Sequence, residues 1–124
     1  MPEDGIEDPE YQERILRINA LQNSVLQTMA QDDLDALVYP MKTIPPRKID
    51  GEFEESTLPA SGNALSPITG FPSVVVPAGF NSLDLPESIE FLGRPFSEKT
   101  LLEYAYAYEQ ATMHREPPED FGAL

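Results

Sequence analysis

A short β-branched run between two prolines places the strongest constraint on the fold. The run Ser73–Val76 lies between Pro72 and Pro77, and Gly70 and Gly79 flank it at a short distance. An apolar run of this length is typical of a strand buried on both faces, as in a parallel sheet covered by helices. The glycines mark places where the backbone turns sharply or approaches another segment. We therefore expect a short buried strand between two turns.

The segment after this run predicts a second strand, a turn and a helix. The second strand is predicted over Ser88–Leu92, because its composition favours a strand and a glycine and a proline follow it. Ser97 is a typical N-cap residue, whose side chain accepts a hydrogen bond from the first helical turn. Phe96 and Leu101 have the spacing of a hydrophobic staple across that cap. We expect the helix to begin directly after Ser97.

Apolar residues at helical spacing predict two amphipathic helices. The first covers Tyr11–Met29 and precedes the apolar strand segment Leu34–Pro40. In the last helix we expect Tyr104 and Tyr108 to share the core face, with Tyr106 partly exposed. The apolar stripe of this last helix consists of Leu101, Tyr104, Ala105, Tyr108 and Ala111.

The charge balance excludes several classes of partner. The chain carries 22 acidic and 8 basic residues, for a formal net charge of −14. Nucleic-acid backbones and anionic lipid surfaces would repel such a chain, so we expect no nucleic acid and no membrane as partner. The acidic clusters lack the alternating ligands of a calcium loop, and the chain has no cysteine, so no metal site is predicted. Without a signal peptide or an apolar stretch of about 20 residues, a cytoplasmic location is expected.

Two motifs taken together resemble a known family. The runs Gly70–Gly79 (GFPSVVVPAG) and Leu92–Glu98 (LGRPFSE) are similar to the C-terminal end of the amidase-signature family of hydrolases. The resemblance implies an α/β fold, namely the C-terminal part of that family's mixed-sheet domain, with helices flanking about three strands and a long proline-rich loop. One departure is Pro86-Glu87-Ser88, where many relatives have a glycine in the turn that enters the last strand.

The resemblance also implies a division of the chain. Residues 10–117 correspond to the C-terminal part of an amidase-like domain, and within them residues 41–62 form the irregular loop. Residues 1–9 are predicted to be an acidic tail, and residues 118–124 a second tail. A truncated sheet exposes strand edges, so we expect self-association or a partner bound through such an edge.

The resemblance implies a reaction whose catalytic residues do not match anything here. The family cleaves carboxamides with a serine, a second serine in a cis peptide and a lysine, all earlier in a longer chain. This sequence has no adjacent serines, and Lys42, Lys48 and Lys99 have the surroundings of surface residues. His114 and Arg115 are explained by a helix C-terminus, where cations are stabilised. We therefore assign no catalytic residue and no cofactor.

Three functions are compatible with these observations. The first is a C-terminal fragment of an amidase-like hydrolase that acts on a small-molecule amide only with the missing N-terminal part, and is inactive alone. The second is a non-catalytic module, derived from an amidase, that docks on a partner protein. The third is an amide hydrolase with an unrecognised site.

Four residues before the Ser73 strand are the candidate substrate-binding positions. By analogy with the family, Asn63, Ser66, Thr69 and Gly70 would form one wall of the substrate pocket. Their polar groups suit a carboxamide or its leaving group. The same residues could instead cap or turn the chain that leads into the strand. Both interpretations are open at the level of sequence.

Overall fold

The computed structural model describes residues 5–42 and 64–117. A short 3-10 turn, Gly5–Glu7, precedes a long helix whose N-cap is Asp8, with the Asp8 carboxylate accepting a hydrogen bond from the Glu10 N–H at 2.8 Å. No helix of the described segments is long and apolar enough to cross a membrane. The helices and strands are α1 (Pro9–Gln31), β1 (Ala36–Pro40), α2 (Leu65–Thr69), β2 (Ser73–Phe80), β3 (Pro86–Gly93) and α3 (Glu98–Thr112).

The three strands form one antiparallel sheet in the order β1-β3-β2. The strand predicted at Ser73–Val76 exists but is longer, and its expected burial on both faces is wrong. Only Val76 of β2 is buried, whereas Ser73 and Val75 are exposed. The cause is position, because β2 lies at one side of the sheet and pairs with β3 only. The second predicted strand is confirmed, and it is the central one.

The C-terminal half of α1 packs on one face of the sheet. Val25 and Met29 of α1 contact Phe71 and Leu92, and these four side chains form a buried cluster. Met29 and Leu92 are completely buried. Burying apolar side chains of this size stabilises the fold by about 1.5–3 kcal/mol each. The predicted helix over Tyr11–Met29 is thus confirmed, and its last turns hold it to the sheet.

Helix α3 covers the opposite face. Leu101 and Ala105 of α3 pack with Val76 and Phe91 in a second buried cluster. The Tyr108 ring meets the Phe91 ring edge to face, with centroids 6.0 Å apart. The sheet therefore has one helix packed on each face, which agrees with the predicted α/β class.

Two details predicted at the start of α3 are wrong. Ser97 is the N-cap residue, but its hydroxyl donates to the carbonyl oxygen of Arg94 at 2.7 Å and makes no capping bond. Phe96 is 95% exposed and has a φ of +65°, so it cannot form the staple with Leu101. Tight turn geometry before the helix directs both side chains away from the expected contacts.

The tyrosines of α3 only partly follow the prediction. Tyr108 is half-buried, and Tyr106 is exposed as expected. The core position predicted for Tyr104 is wrong, because its ring is exposed. Its hydroxyl donates to the Asp35 carboxylate at 3.1 Å, and this hydrogen bond raises the pKa of Tyr104.

Candidate functional site

Helix α2 and the tight turn that ends it contain three of the four predicted substrate-binding residues. Helix α2 ends at Gly70, which adopts a left-handed conformation with a φ of +70°. The Gly70 N–H donates to the carbonyl oxygen of Ser66 at 2.8 Å. The Ser66 hydroxyl donates to the carbonyl oxygen of Phe71, also at 2.8 Å. Glycine suits this position because a left-handed residue without a β-carbon has no steric penalty.

Thr69 is the buried centre of this turn, with only 2% of its surface exposed. Its hydroxyl donates to the carbonyl oxygen of Leu65 at 2.6 Å and accepts a hydrogen bond from the Phe71 N–H at 3.2 Å. Its carbonyl oxygen accepts a hydrogen bond from the Gln22 side chain of α1 at 2.7 Å. These hydrogen bonds hold the turn against α1 and set the direction in which the backbone enters β2.

The structure brings Ser66, Thr69 and Gly70 together within one turn, while Asn63 lies outside the described residues. The hydroxyls of Ser66 and Thr69 both make hydrogen bonds within the turn. Ser66 is half-buried and Gly70 is exposed, so one side of the turn is open. A substrate-binding role for the four residues stays a prediction.

The LGRPFSE motif forms a second tight turn, between β3 and α3. The Gly93 N–H donates to the carbonyl oxygen of Pro72 at 2.9 Å, which joins this motif to the start of β2. The Arg94 guanidinium donates to the carbonyl oxygen of Leu34 at 3.1 Å, which joins it to the entry of β1. A β-carbon at Gly93 would lie only 3.0 Å from Cδ1 of Leu101. The motif thus ties three segments together and leaves no room for a side chain at its glycine.

One carboxylate that the sequence did not single out lies in the interior. Glu90 is 3% exposed on the central strand, and its Oε2 has no hydrogen-bond partner among the described residues. Tyr39 stands opposite it in the β1–β3 register. The sequence does contain a signal for this residue, because Glu90 is the one charged residue in the otherwise apolar second half of the strand.

The other candidates for chemistry lie at the surface. Lys99 is exposed, and its ammonium pairs with the Glu103 carboxylate at 3.3 Å. His114 follows the end of α3, with its ring 6.3 Å from the Tyr108 ring and close to Gly79. Within residues 5–42 and 64–117, no three His, Cys, Asp or Glu side chains are grouped in a way that could hold a metal ion.

The fold of this chain is similar to part of the fold of two solved amidase structures. The native peptide amidase from Stenotrophomonas maltophilia superposes with a TM-score of 0.80 and 32% identity, over 95% of this chain and 23% of that enzyme. An amidase family protein from Bacillus anthracis superposes with a TM-score of 0.70 and 26% identity, over 93% of this chain and 19% of that protein.

The sequence is similar to enzymes of the same kind. A probable amidase of Arabidopsis thaliana is 41% identical over 85 residues, which are 64% of this chain and 17% of the relative. One subunit of the glutamyl-tRNA(Gln) amidotransferase from Desulforudis audaxviator is 47% identical over 57 residues, which are 44% of this chain and 11% of the relative. No family model matches the chain.

Fold and sequence together relate this chain to the amidase-signature family, as the two motifs predicted. The chain spans less than a quarter of the length of each of these relatives. Its fold class, mixed helices around a three-stranded sheet, is that of the matched part of the peptide amidase.

Proposed function

We propose that the chain is the C-terminal part of an amidase-like hydrolase that cleaves carboxamide C–N bonds. In this proposal the serine, the second serine and the lysine of the reaction come from an N-terminal part, and the described residues support the pocket. The chain alone is then inactive. The observation that carries the proposal is the superposition on the peptide amidase over 95% of this chain but 23% of that enzyme.

The side chains of the described residues support this division of labour. Acyl transfer needs a nucleophile within hydrogen-bond reach of a base. The hydroxyl of Ser66 is bonded to a backbone carbonyl instead, and the ammonium of Lys99 is exposed and paired with Glu103. The segment that contains Ser66 and Thr69 is held to α1 by the hydrogen bond from Gln22. Such a contact gives the segment the rigidity expected of a pocket wall.

The sheet also offers a surface for the remaining part. The pairings of the described strands place β3 in the centre, so that the outer edges of β1 and β2 bind no other described strand. Unpaired backbone N–H and C=O groups on such an edge favour the addition of another strand. We propose that the N-terminal part of the hydrolase, or a second copy of the chain, binds at these edges.

A chimaera tests the proposal directly. The matched segment of the Stenotrophomonas maltophilia peptide amidase is replaced by this chain, and ammonia release from a peptide amide is measured. Controls are the intact amidase and the same amidase with the matched segment deleted. We expect hydrolysis by the chimaera and none by the deletion variant or by the isolated chain.

Two results would contradict the proposal. A chimaera that folds with a cooperative thermal transition but releases no ammonia would show that this chain cannot complete an amidase. Amide hydrolysis by the isolated chain, abolished by Ser66→Ala, would instead reveal a catalytic site within the chain itself. Ser73→Ala serves as the matched control, since Ser73 is an exposed serine on the neighbouring strand.

A further inference from the structure

Glu90 is a charged side chain buried at the middle of the sheet. It is 3% exposed, and its Oε2 makes no hydrogen bond with the described part of the chain. An ionised carboxylate without a partner is strongly unfavourable once it is removed from water. Nearly all buried polar atoms in native proteins are paired, so an unpaired one requires an explanation.

The neighbours of Glu90 define an acceptor site with two oxygens. Tyr39 on β1 and Val75 on β2 stand opposite Glu90 in the two strand registers, so all three side chains lie on the α1 face of the sheet. The Tyr39 hydroxyl is buried and makes no hydrogen bond of good geometry to any described residue. Burial raises the pKa of Tyr39, and the nearby Glu90 carboxylate raises it further through its charge and through hydrogen bonding with the Tyr39 hydroxyl. The tyrosine therefore remains a neutral hydroxyl beside a carboxylate.

The α1 face is open next to this pair on the β2 side. Val75 is 42% exposed, and Ser73 on the same face of β2 is also exposed. By contrast, Leu92 lies two residues beyond Glu90 on the central strand and is completely buried under α1. A polypeptide that packs on the exposed part of β2 would therefore come within side-chain reach of Glu90.

We propose that Glu90 and Tyr39 receive the guanidinium group of an arginine from a polypeptide segment that packs on the α1 face beside β2. This inference rests on the proposed function for the origin of the segment, which is the N-terminal part of the amidase-like hydrolase. Arginine fits better than lysine because its planar fork of donors can reach two separate oxygens. A net charge of −14 also favours a cationic partner.

The first test uses the 124-residue chain alone and supplies the cation from within it. Val75→Arg places a guanidinium directly across from Glu90, and Val75→Gln is the neutral control. The unfolding equilibrium constant of each variant is measured by urea denaturation, with Glu90 and with Glu90→Gln. We expect the unfolding equilibrium constant of Val75→Arg to be at least about threefold smaller than that of Val75→Gln. This difference should vanish when both variants also carry Glu90→Gln. Equal stability of the two variants with Glu90 present would overturn the proposal.

The second test removes the carboxylate. Glu90→Gln is compared with Glu87→Gln, which changes an exposed glutamate on the same strand. In the isolated chain we expect Glu90→Gln to raise the unfolding midpoint, because it removes a buried carboxyl group that has no cationic partner among the described residues. A lowered midpoint would mean that Glu90 already has a cationic partner within this chain, and the proposal would be wrong.

The same two variants in the peptide-amidase chimaera complete the test. There we expect Glu90→Gln to lower the thermal midpoint relative to Glu87→Gln, because an arginine loses its acceptor. A raised midpoint in both settings would overturn the proposal. The readout is stability and not hydrolysis, so a folded but inactive chimaera would contradict the proposed function alone. If the chimaera does not fold, the Val75→Arg measurements in the isolated chain decide the matter.

Discussion

The turn between β3 and α3 leaves no space for a side chain at Gly93. Replacing Gly93 by alanine is therefore the sharpest test of the fold. An added β-carbon would clash with the Ser97 hydroxyl and lie 3.0 Å and 3.1 Å from two carbons of Leu101. The Ser97 hydroxyl cannot move freely, because it donates to the Arg94 carbonyl oxygen at 2.7 Å. The change must therefore break this hydrogen bond or displace α3.

The size of the effect follows from these two contributions. Losing the hydrogen bond costs about 1 kcal/mol, and overpacking a close contact costs about 1–3 kcal/mol. We therefore expect Gly93→Ala to lower the free energy of unfolding by about 2–4 kcal/mol. The control is Gly70→Ala, where no atom lies within 4 Å of the added β-carbon and only the φ of +70° is unfavourable. That change should cost about 1–2 kcal/mol.

The assay is urea denaturation of five proteins, namely the wild type, Gly93→Ala, the control Gly70→Ala, Ser97→Ala and the double variant with both Gly93→Ala and Ser97→Ala. Removing the Ser97 hydroxyl removes the worst clash, so the double variant should be more stable than the sum of the single effects predicts, by about 1 kcal/mol. Strictly additive effects would refute the steric explanation. So would a Gly93→Ala variant that is no less stable than Gly70→Ala.

Three further results are expected. Thr69→Val should lower the free energy of unfolding by about 1–3 kcal/mol in urea denaturation, because the Phe71 N–H loses its acceptor, whereas Thr69→Ser should retain most of the stability. Because the pKa of Tyr39 is raised in the folded chain, the contribution of this group to the free energy of unfolding is fully present below about pH 10 and is lost as the pH rises further. Above that pH the thermal midpoint of Tyr39→Phe should therefore decline less steeply than that of the wild type. Glu13→Gln should leave the urea midpoint unchanged, because the Glu13–Arg17 ion pair is exposed.

The sequence predicted the elements well and their arrangement less well. Helical periodicity located α1 and α3, and short apolar or β-favouring runs bounded by prolines or glycines located the strands. The apolar run alone did not indicate the direction of β2, although residues 81–85 are the whole connection to β3. A parallel connection needs a dozen or more residues, so this length alone requires a hairpin. Asn81 stabilises the loop by accepting hydrogen bonds from the N–H groups of Leu83 and Leu85.

Whether a given side chain is buried depends on which elements pack over it, and the local sequence pattern does not contain that information. Tyr104 has the helical spacing of a core residue, yet its ring is 37% exposed and its hydroxyl donates to the Asp35 carboxylate. Glu90 is of a residue type that usually lies at the surface, yet it is 3% exposed on the central strand of the sheet. Both outcomes are set by which elements pack on which face, and that is decided by the whole fold.

The residues that carry the family resemblance are the ones that the described fold uses for packing. Gly93 permits the close approach of α3, Arg94 fixes the entry of β1, and Gly70 ends α2 in a left-handed turn. None of these functions requires the chain to catalyse a reaction. Similarity in these motifs is therefore strong support for a shared fold and weaker support for a shared reaction. Glu90 differs, because it is buried while its Oε2 has no hydrogen-bond partner among the described residues, and we propose that a group from another polypeptide pairs with it. For that reason the stability of Glu90→Gln, measured with and without the rest of an amidase, is more informative about what this chain binds than any change within the two motifs.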